Sequence, residues 1–456
     1  MIKRFLLTAA LYAAAAPGFA QDFGFGFDNE DGGGNSFSQS AVSVGIDGEV
    51  SASLLGYGED FAGGAASVRF GDIFTGRLNF SVSSSNADGI IKLKLRPGAN
   101  PVSVSDVIDE GFLRLYFGNV DVEAGLHKLT WGKADSFGPL DVINPLDSEA
   151  IFTEMADNTD LTGVKIARPM LHLSARLGQF SKLEGVFVPG FEPYRIAKTG
   201  RWAPAQLKML SDPPLPYPIS MNVETPDTST LETLEYAQTG ARFTTTLGSS
   251  DLGFQYYYGR LPQPAVSIQV DMPRITAEFL YNRYHQVGVD YAQVIYGFNT
   301  RAEFAANITE DADGTDRAVY NPSLAWSLGF DRDLFAGVNL NLQVNETIRL
   351  GQDGLGSAGF ADVLTGGFDI EGGKDLTATR VTAALSRKFL RDELEARAAL
   401  VWDIEDSDCL VMPALIWTRG DVKLSCSGGI FGGEEDGQLG QYRGNNFLKL
   451  GVSYTF

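Results

Sequence analysis

The chain has 456 residues, 44% hydrophobic and 20% charged, with 52 Gly and a formal net charge of −21. Two Cys and three His exclude a disulfide scaffold and speak against a Cys/His zinc site. The 57 acidic side chains outnumber 36 basic ones and would repel phosphates, which argues against a nucleic-acid partner.

The N-terminus places Lys3 and Arg4 ahead of an apolar run from Phe5 to Ala16, followed by a Gly-Phe-Ala end. This is the layout of a secretory signal peptide, residues 1–20, cut after Ala20. Loss of Lys3 and Arg4 with it takes the charge from −21 to −23. No later stretch is apolar over the roughly 20 residues that a spanning helix requires, so an exported chain without a helical anchor is expected. Residues 21–38 are acidic and rich in Gly and Phe. Their composition predicts a flexible periplasmic leader, with a small plug anchored by Phe23, Phe25 and Phe27 as the alternative.

From residue 39 to 456 the side chains alternate with a period of two. Leu78, Phe80 and Val82 alternate with Arg77, Asn79, Ser81 and Ser83, and Val338, Leu340, Leu342 and Val344 with Asn339, Asn341, Gln343 and Asn345. Leu448, Leu450, Val452, Tyr454 and Phe456 do so with Lys449, Gly451, Ser453 and Thr455. A soluble sandwich alternates too, so segment length decides. The segments fall near 40–57, 70–84, 89–97, 109–118, 120–131, 161–176, 180–190, 232–247, 251–261, 283–295, 297–309, 319–331, 336–350, 376–390, 392–404, 408–419, 421–431 and 444–456. Most run for about 10 to 15 residues, the length of a tilted strand that crosses an outer membrane. Short turns such as Gly118-Asn119, Gly248-Ser249-Ser250 and Arg419-Gly420-Asp421 alternate with long loops at 132–160, 191–231, 262–282 and 351–375. The predicted fold is all-β: a transmembrane antiparallel up-and-down β-barrel of eighteen strands, or sixteen, with short periplasmic turns and long extracellular loops.

Two places resist this pattern. Around Arg168-Pro169 the outward parity switches from Val164 and Ile166 to Leu171, Leu173, Ala175 and Leu177, which requires a bulge or a tight turn that splits the segment. The stretch from Gln263 to Asn282 is strand-like but interrupted by Pro264 and Pro273, and reads as loop structure extending above the membrane.

On the lumen face, Lys92, Lys94 and Arg96 alternate with lipid-facing Ile91, Leu93 and Leu95, and Arg77 and Arg114 share the inward parity. A ladder of this kind lines a pore and attracts anions. The alternative is that its cations pair with inward Asp121 and Glu123. His127, His172 and His285 are the only imidazole bases and no Ser stands at a triad spacing, so no enzyme is predicted. No cofactor or metal site is predicted either: Glu310 to Asp316 begins with calcium-like spacing, but Pro322 stands where an EF-hand loop counted from Asp311 needs its bidentate Glu. Cys409 and Cys426 flank the turn at residue 420 with an offset of roughly 16 Å along the ladder, beyond disulfide reach. Tyr454 and Phe456 point outward at the C-terminus and resemble the signature read by the barrel-assembly machinery.

The segment Leu129-Thr130-Trp131-Gly132-Lys133-Ala134-Asp135-Ser136-Phe137-Gly138-Pro139-Leu140-Asp141-Val142-Ile143-Asn144-Pro145-Leu146-Asp147 resembles a feature of an uncharacterised family of large porin-like outer-membrane barrels, in which a strand ends in Trp-Gly and an Asp-Val-Ile-Asn-Pro-like loop follows. Val188-Pro189-Gly190-Phe191 is similar to the family's strand-end pattern. Some members are encoded beside resistance-nodulation-division exporters, and their layout is similar to that of the alginate-export barrel. The resemblance thus implies a barrel with an exporter or other periplasmic partner. The residue chemistry itself suggests that Trp131 anchors at the outer interface, that Gly132 permits a sharp turn, and that Pro139 and Pro145 stiffen the loop. With Lys133 and Asp135, the side chains of Asp141, Asn144 and Asp147 would then bond the loop to itself or to wall cations and form a constriction. The alternative is a self-packed lid.

The sequence therefore predicts a porin-like channel embedded in outer-membrane lipid, for passive passage of small solutes, anionic or amphipathic. No nucleotide-binding motif supplies energy. Two other readings compete: a transporter of hydrophobic substrates with an N-terminal hatch and a lateral exit at Arg168-Pro169, and a structural or adhesive surface protein.

Overall fold

The computed structural model describes residues 42–62, 74–95, 106–148, 150–157, 161–205, 207–208, 220–351, 375–435 and 437–456. The expected signal peptide, the 21–38 segment and Arg96 lie outside these residues.

Alternating side chains build the strands β1 (Ser43–Tyr57), β2 (Phe74–Ser83), β3 (Ala87–Leu95), β4 (Ile108–Phe117), β5 (Val120–His127), β6 (Arg168–Leu177) and β7 (Ser181–Val188). After β8 (Ser220–Glu224) come β9 (Gln238–Leu247) and β10 (Ser250–Arg260). Next are β11 (Ala265–Asp271), β12 (Arg274–Leu280), β13 (Arg283–Ile295), β14 (Phe298–Thr309), β15 (Ser323–Asp333) and β16 (Val338–Arg349). The last five are β17 (Thr377–Phe389), β18 (Leu394–Asp403), β19 (Asp408–Arg419), β20 (Val422–Gly432) and β21 (Phe447–Thr455). Eighteen of them form one antiparallel sheet, and β1 pairs with β21 from Glu49↔Thr455 to Tyr57↔Phe447, which closes the barrel and removes its edge. Closure satisfies the strand backbones internally, as hydrocarbon demands.

The two faces separate by parity. Val44, Ile46, Val50 and Leu54 on β1 and Leu448, Leu450, Val452 and Tyr454 on β21 are exposed on the outside, while Glu49, Ser51 and Ser53 line the inside. In water such an apolar band would be costly; against lipid chains it is the matching surface. A closed circle of eighteen strands with this outward band crosses the outer membrane. Among the described residues no helix is long and apolar enough to cross a membrane.

Several boundaries differ from the sequence pattern, each for a packing reason. The segment expected from 161 starts as a strand only at Arg168, because Leu161–Val164 forms a 3-10 turn. Val164 and Ile166 are buried within the 128–167 loop, so their parity reports loop packing and not a lipid face. Pairing to β5 then runs unbroken through Leu126↔Pro169 to His127↔Arg168, so the parity switch needs neither a bulge nor a second strand there. Strand β5 stops at His127, β9 starts at Gln238 and β15 at Ser323, each shorter than the alternation suggested. The Gln263–Asn282 stretch becomes the β11–β12 hairpin, and β8 adds in parallel to β12 to make a separate three-stranded sheet. It packs Val266, Ala277 and Phe279 into a small core of its own. Cys409 lies opposite Gly432 and Cys426 opposite Leu415, and both thiols are free.

Two short helices matter for the lumen: α1 (Gly58–Ala62) and α2 (Ile151–Asp157).

Candidate functional site

The Trp-Gly and Asp-Val-Ile-Asn-Pro residues build the base of the 128–167 loop. Asn144 bridges both of its ends: its Oδ1 accepts from Leu129 N at 2.8 Å, and its Nδ2 donates to His127 O and Ile166 O at 3.0 and 2.9 Å. Beside it, Lys165 Nζ is buried and reaches Asp141 Oδ2 at 2.6 Å and the Thr130 hydroxyl at 2.6 Å. Burial pushes the Asp141 carboxyl above its ordinary value, and Lys165 pulls against it. Asp147 accepts from Ala150 N at 3.3 Å and lies 3.9 Å from Arg195. These side chains clasp the loop to itself, as the sequence chemistry allowed.

Trp131 corrects its expected place. It is 2% exposed and sits away from the outer interface, in a cluster with Ile143, Met170, Val186, Val188, Tyr257 and Tyr284. Gly240 on β9 makes room for it, since a Cβ there would meet the indole at 2.9 Å. Burial of a side chain of this size contributes about 2–3 kcal/mol, which ties the loop's first turn to the wall.

Beyond Gly132 the loop meets the inward face of β10, β13, β14 and β16. Glu303 on β14 accepts backbone N–H bonds from Lys133, from Ala134 at 2.7 Å and from Leu140 at 3.3 Å. Gly132 and Gly138 flank this carboxylate so closely that a Cβ at either would lie 2.3 or 2.4 Å from a Glu303 oxygen. Gln343 Oε1 accepts from Asp135 N and Ser136 N at 2.9 and 3.2 Å, while Gln255 and Gln286 donate to Leu140 O and Pro139 O at 2.9 and 3.0 Å. The Asp135 carboxylate pairs with Arg301 and accepts from Asn341 at 2.8 Å; Lys133 Nζ lies 3.9 Å from Asp251. Leu140 is fully buried against Ala305 and Ala325.

The same loop then reaches the opposite wall through α2. From the inward face of β18 and β19, Ala399, Val401, Leu410 and Met412 pack with Phe152, Met155, Ala156, Trp202, Phe431 and Tyr442. Arg397 donates to Ala156 O at 2.8 Å and Lys449 to Thr153 O at 3.3 Å, placing two cations on carbonyls of α2. Arg201 lies over the Tyr57 ring at 3.7 Å and bonds Asp60 in α1 at 3.1 Å.

The predicted basic ladder is placed on a wall of closed ion pairs. Lys92 pairs with Glu110 and Lys94 with Asp109, while Arg114 meets Glu123 at 2.5 Å. Glu123 also contacts His172 at 2.7 Å and His127 at 3.3 Å. His127 reaches back to Glu110 at 2.8 Å, and His172 to Glu184 at 3.3 Å, so the two imidazoles stand between three carboxylates on β4, β5 and β7. Asp121 lies 3.5 Å from Arg176. Glu110, Asp109 and Glu184 were not singled out from the sequence; Glu110 and Glu184 carry the inward parity that could have marked them.

Arg77 stands apart from this wall, 4.0 Å from Glu49 on β1. His285 has outward parity and bonds the Tyr256 hydroxyl at 2.7 Å. Tyr454 and Phe456 are outward and stacked, with ring centroids 6.3 Å apart. The 310–316 segment closes on itself, with Asp316 N donating to Asp311 Oδ2 at 2.5 Å.

Among the described residues, two cavities lie beside the loop. One of about 960 Å³ is lined by β1, β2, β20 and β21 together with α2 and Trp202. The other, of about 350 Å³, lies between Phe137–Asn144 and residues of β13 to β17.

No protein family matches the chain, and no curated protein does. Solved structures similar to it include OccK9 (OpdG) of Pseudomonas aeruginosa, at 9% identity and a TM-score of 0.49 over 91% of this chain and 98% of that one. OccK11 (OpdR) of the same organism gives 9% and 0.46 over 91% and 96%. The anion-selective porin of Comamonas acidovorans gives 10% and 0.41 over 91% and 100%. At these identities no residue role transfers, and the assignment rests on the strand register. The chain is an eighteen-stranded antiparallel β-barrel with the closure and outward apolar band of an outer-membrane barrel.

Proposed function

We propose that the barrel is a passive channel for small solutes, with anions preferred, and that the 128–167 loop folds inward and narrows it. The observation that carries this reading is the set of backbone bonds from Lys133, Ala134 and Leu140 to Glu303, a lumen-facing carboxylate some 170 residues away in sequence. A self-packed lid would bond only to itself, whereas this loop also bonds to the lumen faces of β10, β13, β14 and β16 and, through α2, to those of β18 and β21. The cavity of about 960 Å³ left beside α2 supports passage of small molecules on that side.

Passage through such a lumen needs only a concentration gradient. Purified full-length protein in planar bilayers is expected to produce discrete conductance steps, and proteoliposomes should swell in small sugars and organic acids. Folded protein, verified by its heat-modifiable mobility, that gave no steps would favour an adhesive or structural role and overturn the channel.

A further inference from the structure

We infer that solutes pass along the wall made by β20, β21, β1 and β2, and that Lys423 and Arg77 set the preference for anions there, in place of the Lys92, Lys94 and Arg114 ladder. The inference deepens the channel reading and rests on it.

Space points to this wall first. The cavity of about 960 Å³ extends from Tyr57 and Trp202 at the outer ends of the strands to Gly420 and Thr455 at the periplasmic rim. Its middle is built from small polar positions in neighbouring register: Ser51 opposite Thr75 and Ser453, and Ser53 opposite Gly451. Such residues leave width and still offer hydroxyls to a solute that sheds water. Among the described residues the other walls are more filled, with about 350 Å³ left between Phe137–Asn144 and β13 to β17. Strands β10 to β16 hold residues 133–140, β18 and β19 hold α2, and β3 to β7 carry interlocked charges.

Charge points the same way. Lys92, Lys94 and Arg114 each have a carboxylate in contact, so the field they offer a passing ion is largely cancelled. Along the cavity the pairing is looser. Lys423, opposite Ser453 and Thr418, has no ion pair among the described residues, and Arg77 reaches Glu49 only at 4.0 Å with its side chain 48% exposed. Of the other carboxylates lining the cavity, Asp147 contacts Arg195 and the backbone of Ala150, Glu154 lies in α2, and Asp421 is exposed on the periplasmic turn, where salt screens it. A small organic or inorganic anion therefore meets its least compensated cations at Lys423 and Arg77.

The test is the reversal potential of the full-length protein in planar bilayers under a potassium chloride gradient. Wild type should favour chloride. Lys423→Gln should lower the chloride-to-potassium permeability ratio by about threefold, and Lys423→Glu should reverse the preference, as expected for one lumen charge in a confined path. Neutralising both members of a ladder pair, in Lys92→Gln, Glu110→Gln, should leave the ratio within measurement error. A further route avoids relying on one variant's folding. In a Cys409→Ser, Cys426→Ser background, Lys423→Cys modified with a cationic thiol reagent should regain anion preference, and an anionic reagent should deepen the loss. Steps with a ratio that ignores residue 423, or that responds as strongly to Lys92→Gln, Glu110→Gln, would overturn the path while leaving the channel intact. Absence of steps would overturn the channel reading and this inference with it.

Discussion

Glu303→Ala is expected to raise single-channel conductance and its fluctuation more than any other single substitution in the wall. The Glu303 side chain is buried, and among the described residues no cation touches it; its partners are the backbone N–H groups of Lys133, Ala134 and Leu140. Bonds to a charged acceptor contribute about 1.5–3 kcal/mol each, and part of that is regained when the freed N–H groups meet water. A net loss of about 3 kcal/mol corresponds to roughly a hundredfold shift from latched to unlatched loop. On the 133–140 segment the remaining polar holds come from Gln255, Gln286, Gln343, Asn341 and Arg301, and none of them bonds the three N–H groups that Glu303 accepts. Glu303→Gln retains one carbonyl oxygen and should show a smaller rise. A folded Glu303→Ala barrel with wild-type conductance would contradict the latch.

Asp141→Ala should have the second largest effect, because it strands the buried Lys165 ammonium beside Thr130 with no carboxylate. Breaking one side of a buried pair costs about 3–5 kcal/mol. The base of the loop should then open far more often, and trypsin should cut between residues 128 and 167 in folded protein roughly a hundredfold faster. Burial sets a cost on the Asp141 carboxylate, which Lys165 opposes. A carboxyl raised above its unfolded value by burial weakens the folded state at pH above that value, and the penalty fades as the pH falls through it. The double variant Asp141→Ala, Lys165→Met should therefore be as protected as wild type, or better, since it removes both charges from the buried site. Equal protease resistance in wild type and Asp141→Ala would remove the pair from the account.

The barrel was largely legible in the sequence because a period of two is a local signal. Val338 to Asn345 or Leu448 to Thr455 shows its two faces without knowledge of any partner strand. The pattern misled where apolar residues pack against the loop and not against lipid: Val164 and Ile166 alternate like a lipid-facing strand, yet they are buried beneath Asn144 and Pro145. The loop's own clasp was legible too, since Asp141 and Asn144 have the chemistry to bond nearby backbone and cations. Its anchorage was not. Glu303, Gln343, Gln255, Gln286 and Arg397 look like any other inward polar position, and what distinguishes them is a contact more than a hundred residues away. The ladder shows the same limit. Parity turned Lys92 and Arg114 inward and offered Glu123 as a partner, but choosing between paired and free cations, and finding Glu110, depends on the register of β3, β4 and β5.

That the loop lies against the β14–β16 wall and sets the width of the pore can be tested in one measurement. Asp135 and Asn341 touch through a 2.8 Å hydrogen bond between loop and wall, and both native cysteines are free and can be replaced. In a Cys409→Ser, Cys426→Ser background carrying Glu303→Ala, the pair Asp135→Cys and Asn341→Cys should be bridged in the outer membrane by a short bifunctional methanethiosulfonate reagent, which spans the separation of a hydrogen-bonded pair. Bridged channels should then conduct at the wild-type level, and reduction should raise their conductance to that of Glu303→Ala. Failure of the two cysteines to cross-link in folded protein, or the same conductance before and after reduction, would contradict an inward loop that narrows the pore.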